Sequence, residues 1–155
     1  MVTVNVSTKP GGLSFSVDSV TYSSAQTFTW VVGSNHTIAT SSPQSGGPGV
    51  QAIWKKWSDN GAISHVVVAP STHKNYLATF QLQYFLTMNA GANGTVTPAS
   101  GWQNANKVVK IKAKADPGHS FVNWTGTGSG SFTGTTNPAQ VTMMGPITES
   151  ASFSP

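Results

Sequence analysis

Trp54-Lys55-Lys56-Trp57-Ser58-Asp59-Asn60-Gly61 and Phe121-Val122-Asn123-Trp124-Thr125-Gly126-Thr127-Gly128 are two versions of one phrase. Each sets an aromatic residue three places before a tryptophan and follows the tryptophan with small or turn-forming residues. Each leads on to a valine-containing segment, a proline and a closing Ala-x-Phe, which is Ala78-Thr79-Phe80 in the first half and Ala151-Ser152-Phe153 in the second. Self-similarity at this spacing marks tandem copies of one small unit, each built to bury the same aromatic side chain. The repeat says more about architecture than about activity.

Working outward, the residues around both phrases alternate as strands do. Val2-Thr3-Val4-Asn5-Val6 has a period of two, Asp18-Ser19 separates two short apolar runs as a hairpin turn would, and Phe28, Trp30 and Val32 share a face over 26–32. Residues 51–57, 64–68 and 76–80 complete the first copy. In the second, 84–89, 94–97, 108–115, 120–125, 139–143 and 149–153 are strand candidates, punctuated by Asn93-Gly94, Asp116-Pro117-Gly118 and Gly145-Pro146. Ser41 to Gly49 is too rich in Gly, Pro and Ser for regular structure and has no counterpart in the second copy. Gln81-Leu82-Gln83 lacks the Gly/Ser or Pro composition of a flexible linker. The expected fold is all-β with little or no helix: two tandem antiparallel, sandwich-like repeats packed closely, at 2–82 and 83–155.

Composition agrees with strands and turns. Only 8% of the 155 residues are charged, and Thr, Val, Gly and Ser far outweigh strong helix formers. The chain has no cysteine, so neither a disulfide framework nor a thiolate metal site is available. Met1 leads straight into Val2-Thr3-Val4 with no export signal, and no apolar run approaches roughly 18 residues. No membrane span is therefore expected, and the chain reads as part of a longer secreted protein.

The net charge of +4 raises the question of polyanions. Every basic residue is lysine, and four stand in Lys107-Val108-Val109-Lys110-Ile111-Lys112-Ala113-Lys114. On a strand, Val109, Ile111 and Ala113 face one way and Lys110, Lys112 and Lys114 the other. Such a stripe either protects a sheet edge from aggregation or holds phosphates or an acidic polysaccharide. Nucleic acid is disfavoured, because there is no arginine for bidentate contacts and no stacking aromatic on the lysine face.

Tyr84-Phe85-Leu86-Thr87, Gly94-Thr95-Val96-Thr97-Pro98, Gly118-His119-Ser120-Phe121-Val122-Asn123-Trp124 and Asn137-Pro138-Ala139 through Phe153 together resemble the divergent internalin-B-type B-repeat. The resemblance covers 84–153; Val17-Asp18, Tyr22 and Phe28-Thr29-Trp30 resemble a related, longer repeat. It implies a non-catalytic module of bacterial surface and secreted proteins, located outside the cell or on its surface.

Catalytic and metal chemistry find little support in the residues. Asp18, Asp59, Asp116 and Glu149 are the only carboxylates, and the three aspartates sit in turn contexts where the side chain serves the local backbone. Ser-His-Asp residue types are present, but no G-x-S-x-G elbow is. His36, His65, His73 and His119 form no closely spaced pair, although sheet pairing would be able to approximate His65 and His73. Asp59-Asn60-Gly61 is read as a turn, and Gly126-Thr127-Gly128-Ser129-Gly130-Ser131 as a hairpin loop rather than a phosphate cradle. No catalytic residue, metal site or cofactor is assigned. An internal Lys-Asn or Thr-Gln crosslink is a further idea, resting only on residue types.

The remaining functional material is aromatic. Sugars stack their C–H faces on Trp and Tyr while amides and hydroxyls bind the ring oxygens. Trp57 and Trp124, as the repeated pair, are assigned to the core. Trp54, Trp102 and Tyr22 are the stacking candidates, with Gln103, Asn104 and Lys56 as polar helpers. For Trp54 the competing reading is a packing role, since Phe121 stands in its place in the second copy. Two functions are carried forward: an accessory module that binds a neutral, β-glucan-like polysaccharide, and a spacer or adhesive repeat with no small ligand.

Overall fold

The computed structural model describes Met1 to Pro155, and it contains strands and turns but no helix. The chain divides into two compact units: Met1–Ser45 with Ala52–Gln81, and Gly46–Gln51 with Leu82–Pro155.

In unit 1 the strands are β1 (Val2–Lys9), β2 (Phe15–Val17), β3 (Val20–Tyr22), β4 (Gln26–Trp30), β5 (Asn35–Thr40), the two-residue β6 (Gln44–Ser45), β7 (Val50–Trp57, from Ala52), β8 (Ser64–Val68) and the first part of β9 (Lys74–Ala90). One layer runs β7-β9-β1-β4 and the other β3-β2-β5-β8. Alternation along β1 points Val2, Val4 and Val6 inward, and Phe15, Val17, Trp30, Ile38, Trp57, Tyr76, Ala78 and Phe80 of the same unit are buried as well. The hairpin at Asp18-Ser19 forms as expected: both residues have positive φ, 49° and 69°, and Val17 pairs with Val20 across the turn.

Unit 2 repeats the plan. Its strands are the remainder of β9, β10 (Gly94–Thr97), β11 (Gly101–Asn104), β12 (Val108–Ala115), β13 (Phe121–Thr127), β14 (Ala139–Thr142) and β15 (Ile147–Phe153). One layer runs β13-β15-β9-β11 and the other β10-β12-β14. Between them Leu86, Val109, Ile111, Trp124, Val141, Met143 and Ile147 form the core. Trp57 and Trp124 are both completely buried, which is the core role assigned from the repeat. The copies correspond strand for strand once β3 and β6, which unit 2 lacks, are set aside.

Three features depart from expectation. The sheets are not purely antiparallel, because β1 runs parallel to β9 in unit 1 and β9 parallel to β15 in unit 2. A parallel pair needs a long crossover, and here the rest of each copy is the crossover, so first and last strands lie side by side. Strand β4 stops at Trp30, leaving Val31 and Val32 exposed at 59% and 47%; a turn follows, in which Ser34 N–H donates to Val31 O. Gln81-Leu82-Gln83 is no connector at all but lies within β9.

The polar segment before β7, expected to lack regular structure, contains the short β6 paired with β7, and the Gln44 side chain adds to its anchoring. Gln44 accepts the Ser14 N–H and donates to Ser14 O, both at 2.8 Å, and also donates to Ser41 O at 3.1 Å. Its amide thereby supplements the short β6–β7 pairing by satisfying the backbone groups of Ser14 and Ser41.

Candidate functional site

On β9, Leu86 and Met88 point into unit 2, so Phe85 and Thr87 point out. Strand β11 pairs antiparallel to β9 and sets Trp102 directly opposite Phe85. The rings meet edge to face, with centroids 5.3 Å apart and planes at 83°. This arrangement fixes the indole while leaving Trp102 40% exposed, the only tryptophan among the exposed large apolar residues. One step along the sheet Thr87 pairs with Thr148, and Thr148 with Thr127, so three hydroxyls form a row beside the two rings.

These residues line an open cleft of about 480 Å³. Pro48, Gly49, Gly128, Pro146 and Ile147 complete its walls, and none of the lining residues is ionisable. Gly49 O accepts the Phe85 N–H at 2.9 Å, tying segment 46–51 to β9. Gly49 has φ +71°, and a Cβ there would come within 2.9 Å of Pro146, so the close approach needs glycine. Beyond Trp102 the face continues as amides: Gln83 donates to Asn104 Oδ1 at 2.9 Å and Gln51 donates to Gln83 Oε1 at 2.8 Å.

Of the residues singled out from sequence, Trp102 and Asn104 thus share this outer face. Gln103, between them, pairs with Tyr84 and lies on the opposite side, since Tyr84 packs against the core. The other three belong to unit 1. Lys56 is exposed on β7, whereas Trp54 is half-buried, and its indole nitrogen is shielded from solvent without a hydrogen-bond partner. Phe121, its counterpart, is partly buried against the unit 2 core and packs on Trp124 and Phe153, so the position packs in both copies. Tyr22 is half-buried in an aromatic run, 5.7 Å from both Phe15 and Phe28.

Tyr22 is not the first-copy equivalent of Trp102. If Ala78 matches Ala151, Lys74 matches Ile147; these pair with Val4 and Leu86, so Phe85 answers to Thr3. Thr3 pairs with Thr29 as Phe85 pairs with Trp102. Unit 1 therefore carries two threonines where unit 2 carries two rings, and Tyr22 lies on β3, which unit 2 lacks.

Tertiary pairing also builds polar groups that the sequence leaves apart. His36 Nδ1 lies 2.7 Å from Asp18 Oδ2, its Nε2 lies 2.9 Å from Ser34 Oγ, and its ring stacks on Trp30 at 3.8 Å. The order is that of nucleophile, base and orienting carboxylate. However, the Ser34 hydroxyl donates to Val31 O at 2.5 Å, while the Gly33 and Ser34 N–H groups serve Ala69 O and Val31 O. The donors an oxyanion would need are already engaged by backbone carbonyls. His65 is held similarly, by Asp59 and Ala62 O, each at 2.7 Å, and His73 separately by Asn75 at 3.0 Å. For Asp18 and Asp59, burial pushes the carboxyl up but the histidine contact and backbone N–H groups outweigh it, and both end below the ordinary value of 3.8.

Glu149 is the buried exception. It is fully enclosed, its Oε2 accepts the Phe132 N–H at 3.0 Å, and its Oε1 has no partner. Burial raises its pKa above 4.5, with the Phe132 bond a partial offset. Gly126 leaves room for it, since a Cβ there would collide with Oε2.

Residues 84–155 match the divergent InlB B-repeat domain family, the family the second half resembles in sequence. No curated protein and no solved structure matches the chain.

Proposed function

We propose that this chain is a non-catalytic, extracellular accessory module of a larger bacterial surface or secreted protein, and that unit 2 holds a neutral, β-glucan-like polysaccharide. The observation that carries the reading is the exposed Trp102 ring, braced by Phe85 over a cleft of threonine hydroxyls and apolar walls with no charge in it. A flat, rigid indole supplies stacking area, and uncharged hydroxyls and amides supply orientation, which suits a neutral sugar better than an ionic one. The open shape admits a chain that continues at both ends. Absence of paired carboxylates on this face and the spent donors around Ser34 support a binding role rather than hydrolysis.

Affinity electrophoresis in gels containing soluble β-glucan, xyloglucan or xylan tests it. Retardation by at least one polymer, removed in Trp102→Ala, is expected. Unretarded migration of the parent protein in all three gels leaves the second reading, a spacer repeat that projects a neighbouring domain. That alternative draws on the packing role of Trp54 and Tyr22, which leaves a single ring in the open.

A further inference from the structure

The second outer face of unit 2 has opposite chemistry. Strand β12 directs Val109, Ile111 and Ala113 into the core and Lys110, Lys112 and Lys114 to solvent, all three exposed. An edge-guarding role alone does not account for these lysines, because β12 is the central strand of β10-β12-β14, paired with β10 over 112–115 and with β14 over 108–111. Their cross-strand partners are neutral: Lys114 faces Thr95, Lys112 faces Thr97 and Lys110 faces Gln140. No lysine of the chain makes a salt bridge, and Asp116, two residues beyond Lys114, forms none either. Three ammonium groups about 7 Å apart along one strand repel one another, and none of them is in an ion pair.

From this we infer that the β10-β12-β14 face binds a linear acidic polysaccharide, its carboxylates lying along the lysine row and its hydroxyls meeting Thr95, Thr97 and Gln140. Lys110 also stands at the lip of a recess of about 400 Å³ with Phe132, Thr136 and Gln140, which gives a sugar ring a place beside the charge. A polysaccharide is favoured over nucleic acid because β10, β12 and β14 carry no aromatic residue to stack a base, the one ring of the recess, Phe132, is partly buried against the core, and all the basic residues are lysine. The site is independent of the Trp102 cleft, which belongs to the other layer of unit 2.

Binding of the full chain to polygalacturonate, followed by calorimetry, is the test, with single-stranded DNA and anionic phospholipid vesicles as comparison probes. Saturable binding to polygalacturonate is expected, weakening about twentyfold between 50 and 200 mM salt if three charges are engaged. The triple variant Lys110→Gln, Lys112→Gln, Lys114→Gln should lose it, the triple Lys→Arg variant should keep it, and Trp102→Ala should leave it unchanged. The side chains are exposed, and far-UV circular dichroism would verify that the variants remain folded. Equal binding by the triple Gln variant would assign the affinity to other lysines and overturn the proposal. Failure to bind polygalacturonate at low salt, or tighter binding to DNA or vesicles, overturns it equally.

Discussion

At the scale of single residues, two tryptophans of unit 2 have opposite duties, and truncating each separates binding from stability. Trp124 is wholly buried, and its loss leaves a large core cavity. Trp124→Ala should cost about 3–5 kcal/mol in urea denaturation. Trp102 is 40% exposed, so Trp102→Ala forfeits about 0.5–1.5 kcal/mol for the Phe85 pair together with a smaller burial loss, and should cost clearly less than Trp124→Ala while abolishing retardation by glucan. Glu149 offers a pH test. Its folded pKa is raised, so the native state holds the proton more tightly than the unfolded chain, and stability is greatest at acid pH and falls as pH climbs through and above 4.5. Asp18 and Asp59, with lowered values, act in the other direction and cost stability as pH falls through and below 3.8. Thermal melts across pH 3 to 8 should therefore peak between these ranges. Glu149→Gln, which keeps an acceptor for Phe132, should flatten the neutral side of the profile and leave the acid side intact. An unchanged neutral limb in that variant would show that the carboxyl does not titrate there.

At the scale of elements, strands whose alternation is written in apolar residues were legible, and those defined by their partners were not. Val109, Ile111 and Ala113 announce β12, and the bounds of Gly94–Thr97 follow from the Asn93-Gly94 turn before it and Pro98 after it. Strand β11, Gly-Trp-Gln-Asn, has no apolar alternation; it is a strand because β9 offers it an edge, and so the element that presents Trp102 could not be read locally. Likewise Asn35–Thr40 forms β5 between β2 and β8 although its polar residues carry little strand signal. The parallel pairs were illegible for a similar reason, since strand direction is a property of the completed copy. The turn between β2 and β3 is the element most open to improvement. Ser19 sits at φ 69°, a conformation that costs a Cβ-bearing residue but not glycine. Ser19→Gly, giving Asp-Gly, should stabilise the protein by about 0.5–1 kcal/mol, read as a rise in the urea midpoint without a change in slope. Destabilisation would mean that the Ser19 side chain does more than tolerate the turn.

At the scale of the whole molecule, the units share a strand plan and differ in what they show to solvent. The threonine pair Thr3–Thr29 of unit 1 occupies the place that Phe85–Trp102 takes in unit 2, so duplication supplied the frame and substitution the candidate site. The unit boundary also differs from a simple division between repeats. The family match begins at residue 84, yet Gly46–Gln51 folds with unit 2, bonds Phe85 through Gly49 O and walls the cleft with Pro48 and Gly49. A site with one wall drawn from a distant part of the chain makes a specific demand. A fragment of residues 82–155 keeps Trp102 and the whole unit 2 core but loses that wall and the acceptor for the Phe85 N–H. It should fold, since every core residue of unit 2 lies within it, and yet be retarded by glucan less than the full chain. A synthetic peptide spanning residues 44–53, added in excess, should restore part of the difference. Retardation of the fragment equal to that of the full chain would remove segment 46–51 from the site and leave Trp102, Phe85 and the threonine row as the whole of it.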